Sequence, residues 1–317
     1  MSRFRGWIQA GAALLTNLHL PNFLKGKLYQ GAGKTVCVPG LNCYSCPAAS
    51  GACPIGAFQA VVGSSKFSFS YYITGFLILL GVLLGRFICG FLCPFGWFQE
   101  LLHKIPTKKF STKKLKPLRY LKYAVLLVMV FLLPAFLVND VGMGDPFFCK
   151  YLCPQGVMEG AIPLSLANSG IRSALGSLFT WKFGILLAVI VLSVIFYRPF
   201  CKWLCPLGAF YALFNRVSLF QIKVDKNKCV SCGKCAKACK MDVDVTKAPN
   251  HTECIRCGMC IRTCPTGAVR FRYGFGDGKD KTKAAKKAAE KTKQTAAFVA
   301  RHPAGVAIAV GALLLFI

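Results

Sequence analysis

Residues 229–239 read CVSCGKCAKAC and residues 254–265 read CIRCGMCIRTCP. Both runs space their cysteines as C-x2-C-x2-C-x3-C, and they follow each other closely. A [4Fe–4S] cube needs four thiolates; in runs of this kind three come from the C-x2-C-x2-C loop and the fourth from the other run. One cluster therefore takes Cys229, Cys232, Cys235 and Cys264, and the other takes Cys254, Cys257, Cys260 and Cys239. Structural zinc is the competing reading, but zinc ribbons carry two separated C-x2-C pairs rather than two runs of four. One departure from the usual pattern is Lys240, which follows Cys239 where proline is common.

Around this cassette the chain is apolar and basic. Its 317 residues are 55% hydrophobic, carry a formal charge of +29 and have a mean hydropathy of +0.50, the profile of a membrane protein with basic loops. The positive residues stand between apolar segments, as the positive-inside rule expects, so the charge does not imply nucleic acid as a partner. The 18 cysteines lie in C-x2-C and C-x3-C spacings, which suit metal clusters better than a secreted disulfide framework. No cleavable signal is read, because residues 7–24 lack a small-residue cleavage site.

Hydropathy marks spans at 69–88, 118–138 and 178–197. Two further segments are candidates: 7–24, interrupted by Asn17, His19 and Pro21, and 303–317 at the end. Between Lys104 and Lys122 stand eight Lys or Arg and no acid, which places that connection in the cytoplasm. Counting spans from there puts the cassette in the cytoplasm and residues 37–53 and 139–180 outside. Lys25, Lys27, Lys34 and Lys66 run against that assignment. The expected fold is an all-α membrane protein with about four to five duplicated transmembrane helices and a small α+β bacterial-type 2[4Fe–4S] ferredoxin domain. Its parts are a transmembrane domain over 1–218, the ferredoxin domain over 219–273, a basic linker over 274–297 and a hydrophobic anchor over 298–317. The Lys/Ala-rich residues 276–294 read as a solvated linker, or as a patch for anionic lipid or an acidic partner.

The remaining cysteines fall in a repeat. Cys53-Pro54-Ile55-Gly56, Cys93-Pro94-Phe95-Gly96, Cys153-Pro154-Gln155-Gly156 and Cys205-Pro206-Leu207-Gly208 share one phrase. In three of them another cysteine stands four residues earlier: Cys89, Cys149 and Cys201. That spacing places both thiols about one helical turn apart; proline would then end the helix and glycine would permit a bend. Two such units make one four-thiolate site. Topology pairs them into an inner cluster on Cys89, Cys93, Cys201 and Cys205 and an outer one on Cys53, Cys149, Cys153 and either Cys46 or Cys43. The alternative of a cluster on Cys37, Cys43, Cys46 and Cys53 alone leaves Cys149 and Cys153 unexplained. Arg86 and Arg198 each stand three residues before the first inner cysteine, where a guanidinium would favour an anionic cube. Their competing role is interfacial lipid contact.

Cys89-x3-Cys93-Pro94, Cys201-x3-Cys205-Pro206 and the double cluster run resemble membrane polyferredoxins of the NapH/NosR type, over roughly residues 69–273. The resemblance implies an electron carrier between quinol or a cytoplasmic donor and an exported acceptor. The added units at Cys53 and Cys153, and the basic, hydrophobic tail, depart from that family's pattern.

Other motifs fail. Gly33-Lys34-Thr35 lacks the upstream glycine of a phosphate loop, since Leu28 stands there, and no C-x-x-C-H indicates covalent haem. His19 and His103 could ligate haem or touch quinone, but as lone histidines they read as packing or interfacial residues; flavin, haem and quinone are possible and not indicated. The expected function is a transmembrane electron conduit through four [4Fe–4S] clusters, two in the ferredoxin domain and two at the membrane. Its donor would be a cytoplasmic ferredoxin or dehydrogenase, its acceptor an exported redox protein, and the chain itself a subunit of a membrane complex. The alternatives are a quinol dehydrogenase subunit and a redox-sensing or maturation protein. One difficulty is distance: a helix of about 18 residues is about 27 Å long, too far for direct transfer between its ends unless the Cys-Pro bends turn inward.

Overall fold

The computed structural model describes residues 4–64, 70–139 and 143–274. In chain order its main helices are α1 (Arg5–Thr16), α2 (Pro54–Gly63), α3 (Tyr71–Leu84), α4 (Pro94–Leu102) and α5 (Pro117–Phe136), then α6 (Gly156–Ala167), α7 (Ser177–Ile195) and α8 (Pro206–Phe214). The basic linker and the hydrophobic C-terminal segment expected from the sequence lie outside the described residues.

Proline opens helices here rather than closing them. Pro54, Pro94 and Pro206 occupy the first turn of α2, α4 and α8, and the cysteine before each is extended, at ψ of 125°, 114° and 111°. This is the position where a missing N–H costs nothing and the fixed φ is already helical. The upstream cysteine of each inner unit sits in its own short helix, Phe87–Phe91 or Pro199–Trp203, so the two thiols flank a break instead of riding one helix. Inside longer helices proline acts differently. Upstream of Pro134 and Pro163 the helix widens to π-type pairing over Leu126–Leu132 and Gly156–Ala161, because each proline removes a donor from the ladder.

Among the described residues, two helices are long and apolar enough to cross a bilayer, α5 with 20 residues and α7 with 19. Only 17% of the most apolar window of α7 is buried by the chain, unlike the core helix of a water-soluble domain. The span expected over 69–88 is shorter: α3 has 14 residues, about 21 Å, and stops at Gly85, whose φ of +53° turns the chain. The candidate at 7–24 is reduced to the 12-residue α1. That helix buries Arg5, Gln9 and Thr16 and exposes Trp7, Leu14 and Leu15, the reverse of a helix facing water. Gln9 donates to the Gly90 carbonyl at 2.9 Å, and Arg5 pairs with Glu100.

The ferredoxin lobe is closed by two antiparallel strands, β1 (Phe220–Val224) and β2 (Val269–Tyr273), registered from Phe220 opposite Tyr273 to Val224 opposite Val269. Three buried polar hubs seat it on the helices. Glu253 accepts from Arg86 at 3.0 Å and from Lys122. Asp242 accepts from Lys202 at 3.2 Å, from Ser111 at 3.0 Å and from Thr112. Arg256 donates to the carbonyls of Leu84 and Asn215, both at 2.7 Å, and to Ser218 at 2.6 Å. Buried charges with such partners are costly to separate.

Candidate iron–sulfur sites

In the lobe, Cys229, Cys232, Cys235 and Cys264 line one small cavity. Cys239, Cys254, Cys257 and Cys260 line another. Each pocket thus holds three cysteines of one run and one of the other. The loops repeat each other's backbone. Ser231 and Gly233 in the first run have φ of 52° and 69°, and Arg256 and Gly258 in the second have 52° and 79°. Alternating left-handed residues turn successive N–H groups to one side and form a concavity for an anion. Such a cradle fits a cube carrying four thiolates. Among the described residues no three His, Cys, Asp or Glu side chains converge on a single-ion position.

The inner unit pair is held by a reciprocal clamp. Cys89, Cys93, Cys201 and Cys205 are all buried, and Cys93 and Cys205 each lie close to the other thiols of the set. Arg86, from the first unit, donates to the Cys201 carbonyl at 3.3 Å; Arg198, from the second, donates to the Cys89 carbonyl and pairs with Glu100 at 2.7 Å. Both guanidinium groups are fully buried, and Arg198 Nη2 has no hydrogen-bond partner, as a donor facing an anionic cluster would lack one in the protein alone. A Cβ on Gly96 would lie 2.9 Å from Arg198 Nη1, so glycine keeps the guanidinium in place. The Gly208 N–H donates to Cys205 Sγ at 3.3 Å, which turns the N-terminus of α8 towards the sulfurs.

In the second pair, Cys43, Cys53, Cys149 and Cys153 line a larger cavity of ≈ 770 Å3, together with Cys37. Cys46 is not part of its lining; it packs with Ala48 and Ala49, its thiol 3.6 Å from Asn17 Oδ1. Cys43 reaches one unit glycine on that side and Cys149 the other: a Cβ on Gly156 would meet Cys43 Sγ at 3.7 Å, and one on Gly56 would meet Cys149 Sγ at 3.8 Å. The first unit has Ala49 where the others carry their upstream cysteine.

A glutamine links each pair of units. Gln99 Nε2 donates to Cys201 Sγ at 3.2 Å while its Oε1 accepts from the Phe200 N–H at 3.2 Å. Gln59 repeats this with Cys149 Sγ at 3.2 Å and the Phe148 N–H at 3.0 Å. Each stands six residues after the proline-linked cysteine, in Gly-x-Phe-Gln of two units, a likeness visible in the sequence although its cross-unit partner is not. In the other two units that position holds Glu159, which accepts from the Cys43 N–H at 3.1 Å, and Tyr211.

A family model described as a 4Fe–4S binding domain matches residues 51–71, 68–113, 122–162 and 178–227, one Cys-Pro-x-Gly unit to each segment. A second 4Fe–4S binding domain matches 222–243 and 248–270. An uncharacterized protein of Methanocaldococcus jannaschii is 32% identical over 209 residues, which cover 63% of this chain and 77% of that protein. The chain belongs to the ferredoxin-type electron transport proteins of the NapH/NosR type. It is an iron–sulfur electron transport protein whose domains bind [4Fe–4S] clusters. The methylamine utilization ferredoxin-type protein MauN of Paracoccus denitrificans is 27% identical over 187 residues, 59% of this chain and 56% of MauN. The regulatory protein NosR of Stutzerimonas stutzeri is 28% identical over 170 residues, 50% of this chain but 21% of NosR. No solved structure matches.

A hydrogen bond to a ligating sulfur stabilises the reduced, more negative cluster, and bonds to charged groups contribute about 1.5–3 kcal/mol. Gln99→Leu is therefore expected to retain the iron of wild type and to lower the potential of one membrane cluster, read by redox titration with EPR. An unchanged potential would show that Gln99 only packs.

Proposed function

We propose that the chain is a membrane electron conduit with four [4Fe–4S] sites: two in the cytoplasmic lobe, an inner one on Cys89, Cys93, Cys201 and Cys205, and an outer one on Cys43, Cys53, Cys149 and Cys153. Held by these thiolates, each cluster would supply one-electron chemistry. The observation that carries the reading is the continuous burial of the sites against one another. Cys239 and Cys257 of the lobe pack on the same core that contains Cys89, Cys93 and Cys205, and that core continues to Cys37, Cys53 and Cys153. Arg86 ties the inner unit to the lobe through the Thr252 carbonyl at 2.8 Å and Glu253, and the arginines, glutamines and helix N-termini around the thiols offset the negative charge. The lipid-facing α5 and α7 hold this column in the bilayer.

Electrons enter at the exposed end of the lobe. Cys232 is exposed, as are Val230 and Ser231 beside it, and exposed Lys226, Lys228, Lys234 and Lys237 flank them in the chain. An exposed cluster loop flanked by lysines fits an acidic redox protein. Lys234→Glu combined with Lys237→Glu is expected to slow reduction by an acidic ferredoxin about tenfold at low ionic strength, with the difference fading in high salt. Stopped-flow absorbance measures it, and a salt-independent rate would remove this entry face. From the outer site the electrons pass to an exported redox partner within a membrane complex.

Vesicles test the whole reading. Dithionite trapped inside vesicles carrying the protein is expected to bleach an impermeant acceptor dye outside. No bleaching beyond that of protein-free vesicles would reject the conduit.

A further inference from the structure

Tyr211 holds, in the fourth unit, the position that Gln59, Gln99 and Glu159 hold in the others, yet it reaches no thiol of a partner unit through a hydrogen bond. Its side chain is fully buried, and its hydroxyl donates to the Pro39 carbonyl at 3.1 Å. Cys89 and Cys93 of the inner set and Cys53 of the outer set lie within electrostatic reach of its hydroxyl, as does Cys37 beside Cys53.

The segment it touches also reaches both sites. Gly40 packs so tightly on the inner unit that a Cβ there would lie 2.8 Å from Cys93 Cα and 2.9 Å from the Leu92 carbonyl. The next two peptides divide between the sites: the Leu41 backbone faces the Cys93 sulfur and the Asn42 backbone faces the Cys53 sulfur. Upstream, Cys37 pairs with Ala52 in an isolated bridge beside Cys53. One turn of chain, capped by one tyrosine, thus spans the interval between the two four-thiolate sites.

We infer that Tyr211 and residues 39–42 form the electron bridge between the inner and outer sites, so that transfer runs through this contact and not along the length of a membrane helix. The inference rests on the conduit reading above. Electronic coupling decays more slowly through bonded and closely packed atoms than across a gap, and the Tyr211–Pro39 hydrogen bond supplies such a path where the two sites approach. With both clusters bound, one electron would leave the inner site and enter the outer one; Tyr211 would be neither oxidised nor reduced, and no proton would move. A residue that merely filled the core would not need a hydroxyl with a buried acceptor.

The test uses the full chain in vesicles, with Tyr211→Leu and Tyr211→Phe compared at equal iron content; the readouts are the external dye and, by redox titration with EPR, the cluster potentials, which the bridge leaves unchanged. Tyr211→Leu is expected to slow dye bleaching by about an order of magnitude, and Tyr211→Phe, which keeps the ring and loses the bond to Pro39, by a smaller factor. If Tyr211→Leu does not assemble with full iron, Tyr211→Phe decides alone: slower bleaching supports the bridge, and the wild-type rate overturns it. Wild-type bleaching by both variants rejects the bridge and leaves the conduit standing. A wild-type chain that bleaches nothing rejects both.

Discussion

Cys89→Ser and Cys201→Ser are each expected to remove the same four irons, although the two residues lie in separate units of the sequence. The reason is the clamp: each unit's arginine holds the carbonyl of the other's first cysteine, and Gln99 of one unit donates to Cys201 of the other. A cube that loses one of four thiolates loses its hold on both units at once. The double variant should then lose no more iron than either single one, since both changes strike one site. On the outer side Cys43→Ser and Cys149→Ser should likewise act on one shared cluster, whereas Cys46→Ser, outside the cavity, should keep its iron. Iron analysis with EPR of each variant measures this. Loss of different signals from Cys89→Ser and Cys201→Ser would break the pairing.

Glu253→Gln is expected to loosen the lobe from the helices at a cost of about 3–5 kcal/mol, because it leaves Arg86 and Lys122 buried without their shared carboxylate. Faster limited proteolysis near residues 215–220, with the lobe clusters still present, would report it; wild-type resistance would show that Asp242 and Arg256 suffice. The same group sets a pH dependence. Burial would raise the Glu253 carboxyl, but Arg86 and Lys122 hold it down at about 2, from an ordinary 4.5. A carboxyl depressed in the folded state contributes stability that is complete above 4.5 and is lost as pH falls through 2. Docking should therefore weaken below pH about 4.5 in wild type, and at neutral pH only in the variant.

Local chemistry was readable and long-range partnership was not. The cluster runs declare themselves because three ligands of each cube lie within seven residues, and the Cys-Pro-x-Gly phrase because it recurs. Cys43 and Cys46 both stand at spacings that permit ligation; only the cavity separates them. Hydropathy marks 69–88 as one span because it averages over Gly85 and does not see its turn. The proline at the first turn of α2, α4 and α8 follows a general helix rule, yet next to an apolar run it reads equally well as a stop. Glu253 and Asp242 carried no signal at all, since a lone acid beside a cysteine run looks like any solvated charge until its buried cations are known.

The count of clusters tests the account most directly. Iron analysis and EPR of the purified, fully reduced chain are expected to give about sixteen irons and four [4Fe–4S] signals, four irons to each cube. About eight irons, with signals from the lobe alone, would contradict it.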